Sequence, residues 1–174
     1  AGVGKSRLAI DTLQLLTNQS NGYFLTAKFD QSKDLNPLSR IGTLFNTLCD
    51  LFAQDASPDQ LRMVDELLES ALGNQAGHLA GVVPSLSKLM SLDAQFEVAS
   101  NCIDSAMSMR FLFAELARVI SSHSRPISVF LDDMQWADST SLLLVGNLLS
   151  IIGGSGGSIF FAICYRDDEV SNNR

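Results

Sequence analysis

The chain has 174 residues, 46% of them apolar and 18% charged, and a net charge of −7. That length holds one domain with a sizeable core, and that composition excludes a disordered chain. The acidic balance also argues against nucleic-acid binding by this segment, because phosphate contacts call for a basic face.

The chain opens on Ala1-Gly2-Val3-Gly4-Lys5-Ser6. This is the trailing part of the phosphate-binding pattern GxxxxGK[ST], so the chain reads as a piece of a longer protein that starts inside that motif. Gly2 and Gly4 let the backbone bend and turn its N–H groups toward phosphate oxygens, and Val3 lies between them. Lys5 is a point charge for the β- and γ-phosphates, and the Ser6 hydroxyl is a Mg²⁺ ligand. The plainer alternative is a Gly-rich turn at a helix start. Arg7 stands between two readings, nucleotide contact or helix surface.

The spacing predicts a helix from Lys5 to about Gln19, with Leu8, Ala9, Leu13 and Leu16 near one face. Asn18 to Gly22 is a stop signal, and Tyr23 to Asp30 reads as a short aromatic-rich strand. Asn36 then caps a helix with Pro37 in its first turn and a stripe of Leu38, Ile41, Phe45, Leu48 and Phe52. Ser57-Pro58-Asp59 opens another, with Leu61, Val64, Leu67, Leu68, Ala71 and Leu72 buried; Gly73 to Gly77 ends it. Gly81 to Met90 is ambiguous, with Pro84 able to start a short helix. Phe96 to Ser122 contains a long helix whose apolar face carries Ile103, Met107, Phe111, Ala114 and Ala117, broken at Arg125-Pro126.

Ile127 to Leu131 reads as a buried strand, and Asp132-Asp133 at its end are the carboxylates that a Mg²⁺ site opposite a phosphate loop requires. Ser139 caps an apolar helix running to about Ile152, and the loop Gly153 to Gly157 follows. Ser158 to Tyr165 is a continuous apolar strand, as in the middle of a parallel sheet, ending at Arg166. Strands alternating with helices give an α/β fold, a parallel sheet with helices on its faces. Cys49, Cys102 and Cys164 are widely spaced and show no C-x-x-C, which suits buried thiols in a reducing, cytoplasmic compartment. No signal peptide is visible. The apolar stretch Leu142 to Ile152 contains Gly146, Asn147 and Ser150 and is too short to span a membrane.

Four segments are decisive together: Ala1 to Leu8, Ala27 to Gln31, Phe130-Leu131-Asp132-Asp133-Met134-Gln135-Trp136-Ala137-Asp138, and Tyr165-Arg166-Asp167. In this order they resemble the P-loop ATPase module of the AAA-related signal-transduction ATPases with numerous domains. The nearest type is the origin-recognition-complex-like AAA module of multidomain regulators. The resemblance implies a three-layer α/β/α P-loop NTPase fold, here truncated at both ends: residues 1–174 lack the first strand and the lid. The missing strand would lie beside Ser158–Tyr165, leaving an unpaired apolar edge prone to aggregation. The resemblance also implies that Asp132 holds Mg²⁺ through water, that Asp133 polarises the attacking water, and that Arg166 reads the γ-phosphate. Plainer readings stand beside these: Asp133 as a helix-cap acceptor, and Arg166 paired to Asp167 or Asp168 at the surface. Trp136 reads as packing, Lys28 and Asp30 as strand-end stabilisers, and His78 and His123 as bystanders.

The expected function is ATP/ADP binding with slow Mg²⁺-dependent hydrolysis, a conformational switch inside a larger signalling protein whose other domains and protein partners respond to it. Two alternatives remain: a nucleotide-gated interaction module that never turns over, and a replication-initiator-type AAA ATPase. No nucleic-acid or membrane partner is expected for this segment, and no arginine finger is assignable in it.

Overall fold

A computed structural model of the protein describes residues 4–31, 38–91, 105–152 and 158–166. The first helix, α1 (Lys5–Gln19), starts and stops where the spacing places it. Its inward face differs. Leu8 and Leu16 are 70% and 53% exposed, while Thr17 is buried and Ala9, Ile10 and Leu13 are half-buried. The sequence 9, 10, 13, 17 is also a helical stripe; with leucines on several sides of the helix, periodicity alone does not choose between them.

Strand β1 (Tyr23–Lys28) ends two residues short of the expected Asp30. The next helix, α2 (Ser39–Asp55), begins after Leu38, which is buried and left-handed at φ 72°. The expected Asn36 cap and Pro37 lie outside the described residues. The α2 stripe is as expected, with Ile41, Phe45, Leu48 and Phe52 all buried. Cys49 is buried beside them, and burial first, then the Asp50 charge, pushes its thiol up to about 12.

Helix α3 (Pro58–Leu72) starts on a capping box: Ser57 Oγ accepts from the Gln60 backbone, and Gln60 Oε1 accepts from the Ser57 backbone. Gly73 ends α3, as expected, and the chain turns on without a long loop. It continues through a 3₁₀ turn into α4 (Ala76–Ala80), which buries Ala76 and Leu79. A second 3₁₀ turn spans Pro84–Lys88. Asn46 of α2 reaches it, with Oδ1 accepting from the Ser85 backbone at 2.8 Å.

Helix α5 (Ser105–His123) forms the second half of the expected long helix; its expected start and Ile103 lie outside the described residues, as does the side chain of Met107. Ala114 and Ala117 face inward as expected, but Phe111 is 51% exposed and Leu112, Phe113, Leu116 and Ile120 carry the core face. Strand β2 (Ile127–Asp132), α6 (Ser139–Ile152) and β3 (Ile159–Ile163) complete the described chain.

The three strands are parallel in the order β1-β2-β3. Leu25, Val129 and Phe161 point to one face, where Phe45 of α2, Ala117 of α5 and Leu148 of α6 cover them. Phe130, on the other face by alternation, is fully buried, and α1 packs there against β1 and β2. Helices therefore flank the sheet on both sides. Among the described residues β3 pairs with β2 alone and its Phe160 is 57% exposed, so it presents the unpaired apolar edge expected of it.

The far end of the sheet is closed tightly. Tyr23 N–H donates to Pro126 O at 2.8 Å, and Gly22 N–H donates to Thr17 O at 2.8 Å. A methyl on Gly22 would sit 2.4 Å from that same Pro126 oxygen. Gly22→Ala is therefore expected to lower stability by about 1–3 kcal/mol. A melting temperature unchanged within about one degree would show that the two turns part without cost.

Candidate functional site

The parallel register sets Lys28 opposite Asp132 and Leu131 opposite Ile163, so all three strands end along one rim. The N-terminus of α1 is brought to the same rim. There the Ser6 hydroxyl donates to Asp132 Oδ1 at 3.0 Å, joining two motifs 126 positions apart. Gly4 stands immediately before the helix at φ 75°, a left-handed conformation that glycine adopts without a Cβ penalty. Lys5 is the first residue of α1. Its side chain and the whole of Gly2 and Val3 lie outside the described residues.

Asp133 is the electrostatic centre of the rim. Its backbone is left-handed, φ 54° and ψ 40°, a conformation that few residues other than glycine, asparagine and aspartate tolerate. This turn separates it from Asp132 and aims its carboxylate across the strand ends. Lys28 Nζ lies 3.3 Å from one carboxylate oxygen and Arg166 Nε 3.6 Å from the other, with the carboxylate side chain only 17% exposed. Gln135 Nε2 also donates to Asp133 Oδ1 at 3.2 Å. The structure thus places Ser6, Asp132, Asp133 and Arg166 along one rim, with Ser6 on Asp132 and Arg166 on Asp133.

Two residues of this cluster escape sequence reasoning. Lys28 reads as a strand-end stabiliser, yet its partner is the second acid; only the strand order and register reveal that. Gln135 lies inside the acid segment but carries no charge and is given no role there, and only its place between two strand ends marks it. Asp30 pairs with Arg40 of α2 at 2.8 Å, a contact at the surface. Arg7 is 81% exposed on α1 and pairs with Asp11 at 2.9 Å. Asp167 and Asp168 lie outside the described residues.

The turn after the acids is built by a different cap than expected. Asp138, not Ser139, begins α6: its carboxylate accepts from the Ser141 backbone at 2.9 Å and from the Ser141 hydroxyl at 2.6 Å. Trp136 is half-buried against the core, as a packing residue should be. His78 is exposed. His123 donates or accepts through Nδ1 at the Val119 carbonyl, 3.0 Å away, at the opposite end of the sheet. A surface cavity of about 280 Å³ lies there, with Tyr23, Asp55 and Arg125 in its wall. Burial first, then the hydrogen bond to Asp55, pushes the Tyr23 phenol up to about 12, so it remains a donor.

The donor set suits a hard divalent cation. A hydroxyl and a carboxylate oxygen 3.0 Å apart match the habit of Mg²⁺, which takes one or two protein oxygens and fills its remaining positions with water and phosphate. Ser6 and Asp132 would hold it, and it would supply charge neutralisation at the β- and γ-phosphate oxygens. Among the described residues no group of three or more His, Cys, Asp or Glu forms an all-protein metal cage.

No curated protein and no solved structure matches the chain. A family model does: residues 1–160 match that of the AAA ATPase domain, and the chain belongs to this family of ATP-binding P-loop proteins.

Proposed function

We propose that this domain binds ATP with Mg²⁺ and hydrolyses it slowly, acting as a conformational switch within a larger protein of the signal-transduction ATPase type. The observation that carries the reading is the Ser6–Asp132 hydrogen bond at 3.0 Å, which sets the loop helix against the acid strand. Lys5 and Mg²⁺ would meet the charge that develops on the transferred phosphoryl group, Asp133 would orient the water, and Arg166 would respond to the γ-phosphate. The resting cluster supports a switch: Asp133 is engaged by Lys28 and Arg166, so the same cations must rearrange when a triphosphate arrives. Other domains and protein partners would read that rearrangement, inside the reducing interior of the cell. Among the described residues no helix is long and apolar enough to cross a membrane.

The same ion pairs favour a second reading, a nucleotide-gated interaction module in which Asp133 stays engaged and never activates water. Phosphate release by the purified protein, with Lys5→Ala as the blank, separates the two. Release above the blank supports the hydrolase; tight binding with no release supports the module. A replication-initiator role fits less well, because a net charge of −7 opposes DNA contact by this segment. A salt-dependent DNA titration would expose it.

A further inference from the structure

We infer that Gln135 is the positioning residue for Asp133, keying the direction of its carboxylate to the chain just beyond β3. The inference rests on the hydrolytic reading for its kinetic consequence only. Two contacts define it. Gln135 Nε2 donates to Asp133 Oδ1 at 3.2 Å, and Arg166 N–H donates to Gln135 Oε1 at 3.1 Å. A backbone N–H can only donate, so it must face the amide oxygen; a carboxylate can only accept, so it must face the amide nitrogen. Both demands select the same orientation of the carboxamide. Neither a carboxylate nor an ammonium at position 135 meets both.

The surrounding backbone gives this bridge its leverage. Cys164 N–H donates to Leu131 O at 2.8 Å, and Met134 N–H donates to Cys164 O at 3.0 Å. Those bonds carry the β2–β3 ladder past the strand ends and hold residues 134 and 164 in register. They do not reach the Asp133 side chain, whose carboxylate is met instead by the side chains of Gln135, Lys28 and Arg166. Lys28 supplies a point charge at 3.3 Å and Arg166 Nε stands at 3.6 Å, beyond hydrogen-bond range, so neither contact fixes direction as a hydrogen-bonded planar amide does. The short carboxamide has a fixed donor and acceptor plane. It also ties Asp133 to the same residue whose guanidinium lies against it. A shift of the Arg166 backbone would therefore pull on Gln135 and turn the Asp133 carboxylate.

The test compares Gln135→Ala and Gln135→Glu with the wild-type protein, by amide hydrogen exchange at Arg166 and by steady-state ATP hydrolysis. Glutamate keeps the acceptor for Arg166 and loses the donor to Asp133; alanine loses both. Arg166 N–H is expected to exchange at least about tenfold faster in Gln135→Ala and at the wild-type rate in Gln135→Glu. Both variants are expected to lose about tenfold in kcat with KM within about threefold, the pattern of a misdirected group and not of lost binding. Unchanged exchange at Arg166 in Gln135→Ala overturns the bridge. Faster exchange with wild-type kcat in both variants overturns the positioning role. A wild-type protein that releases no phosphate overturns the hydrolytic reading instead, and the exchange arm, with the Asp133 carboxyl ¹³C resonance in each variant, still decides the bridge.

Discussion

Asp133→Asn is expected to cut ATP turnover about a hundredfold while leaving nucleotide affinity within about threefold. Asparagine has the shape of aspartate and is the other side chain that tolerates a left-handed backbone, so the φ of 54° at this position should survive the change. What is removed is the charge. A neutral amide polarises water poorly, so the chemical step suffers. Binding should not suffer, because removing the Asp133 charge takes no cation away from the rim: Lys28 at 3.3 Å and Arg166 at 3.6 Å both remain. The check is kcat and the nucleotide Kd measured separately, with a thermal melt to confirm folding. Turnover at the wild-type rate would remove Asp133 from the mechanism and leave it as a structural ion-pair partner.

Lys5→Ala is expected to abolish nucleotide binding, a loss of at least about a hundredfold. Each charge-assisted hydrogen bond to a phosphate contributes roughly 1.5–3 kcal/mol, and a lysine that spans two phosphates makes more than one. Calorimetric titration with Mg·ATP reads this directly. Wild-type affinity in Lys5→Ala would dismantle the phosphate-loop reading, whatever the rim looks like. Arg7→Ala is the companion measurement. Arg7 is paired to Asp11 on the open face of α1, an exposed contact that contributes at most about 0.5 kcal/mol to stability. Weaker ATP binding in that variant would assign Arg7 to the nucleotide; unchanged binding would assign it to the helix surface.

The alternation of elements and the position of the acid pair were legible from residue order, because buried parallel strands are apolar runs and because carboxylates gather at their ends. Ile127 to Asp132 illustrates this: five residues of strand and then the acid, on the rim that Ser6 reaches. What sequence leaves open is choice among similar residues. Helix α1 offers leucines at 8, 13, 15 and 16, and only packing shows that Leu8, Leu15 and Leu16 look outward. Phe111 fails for the same reason, because α5 has apolar residues on more than one side. Ser139 and Asp138 are both good caps, and the hydroxyl of Ser141 decides for the aspartate by giving it a second donor. Lys28 and Gln135 were out of reach because their roles depend on which strand lies beside which, information carried by no local pattern.

The hydrogen bond from Ser6 to Asp132 has one more consequence. The two residues stand 126 positions apart, so any ligand that grips both fastens the start of α1 to the end of β2, with α2 to α5 in the chain between them. Nucleotide should then behave as a removable clasp, raising the melting temperature in proportion to the logarithm of its concentration once above Kd. A substitution deep in α2 or α3, far from the rim, that loosens this chain should be rescued by ATP and laid bare when the nucleotide is withdrawn.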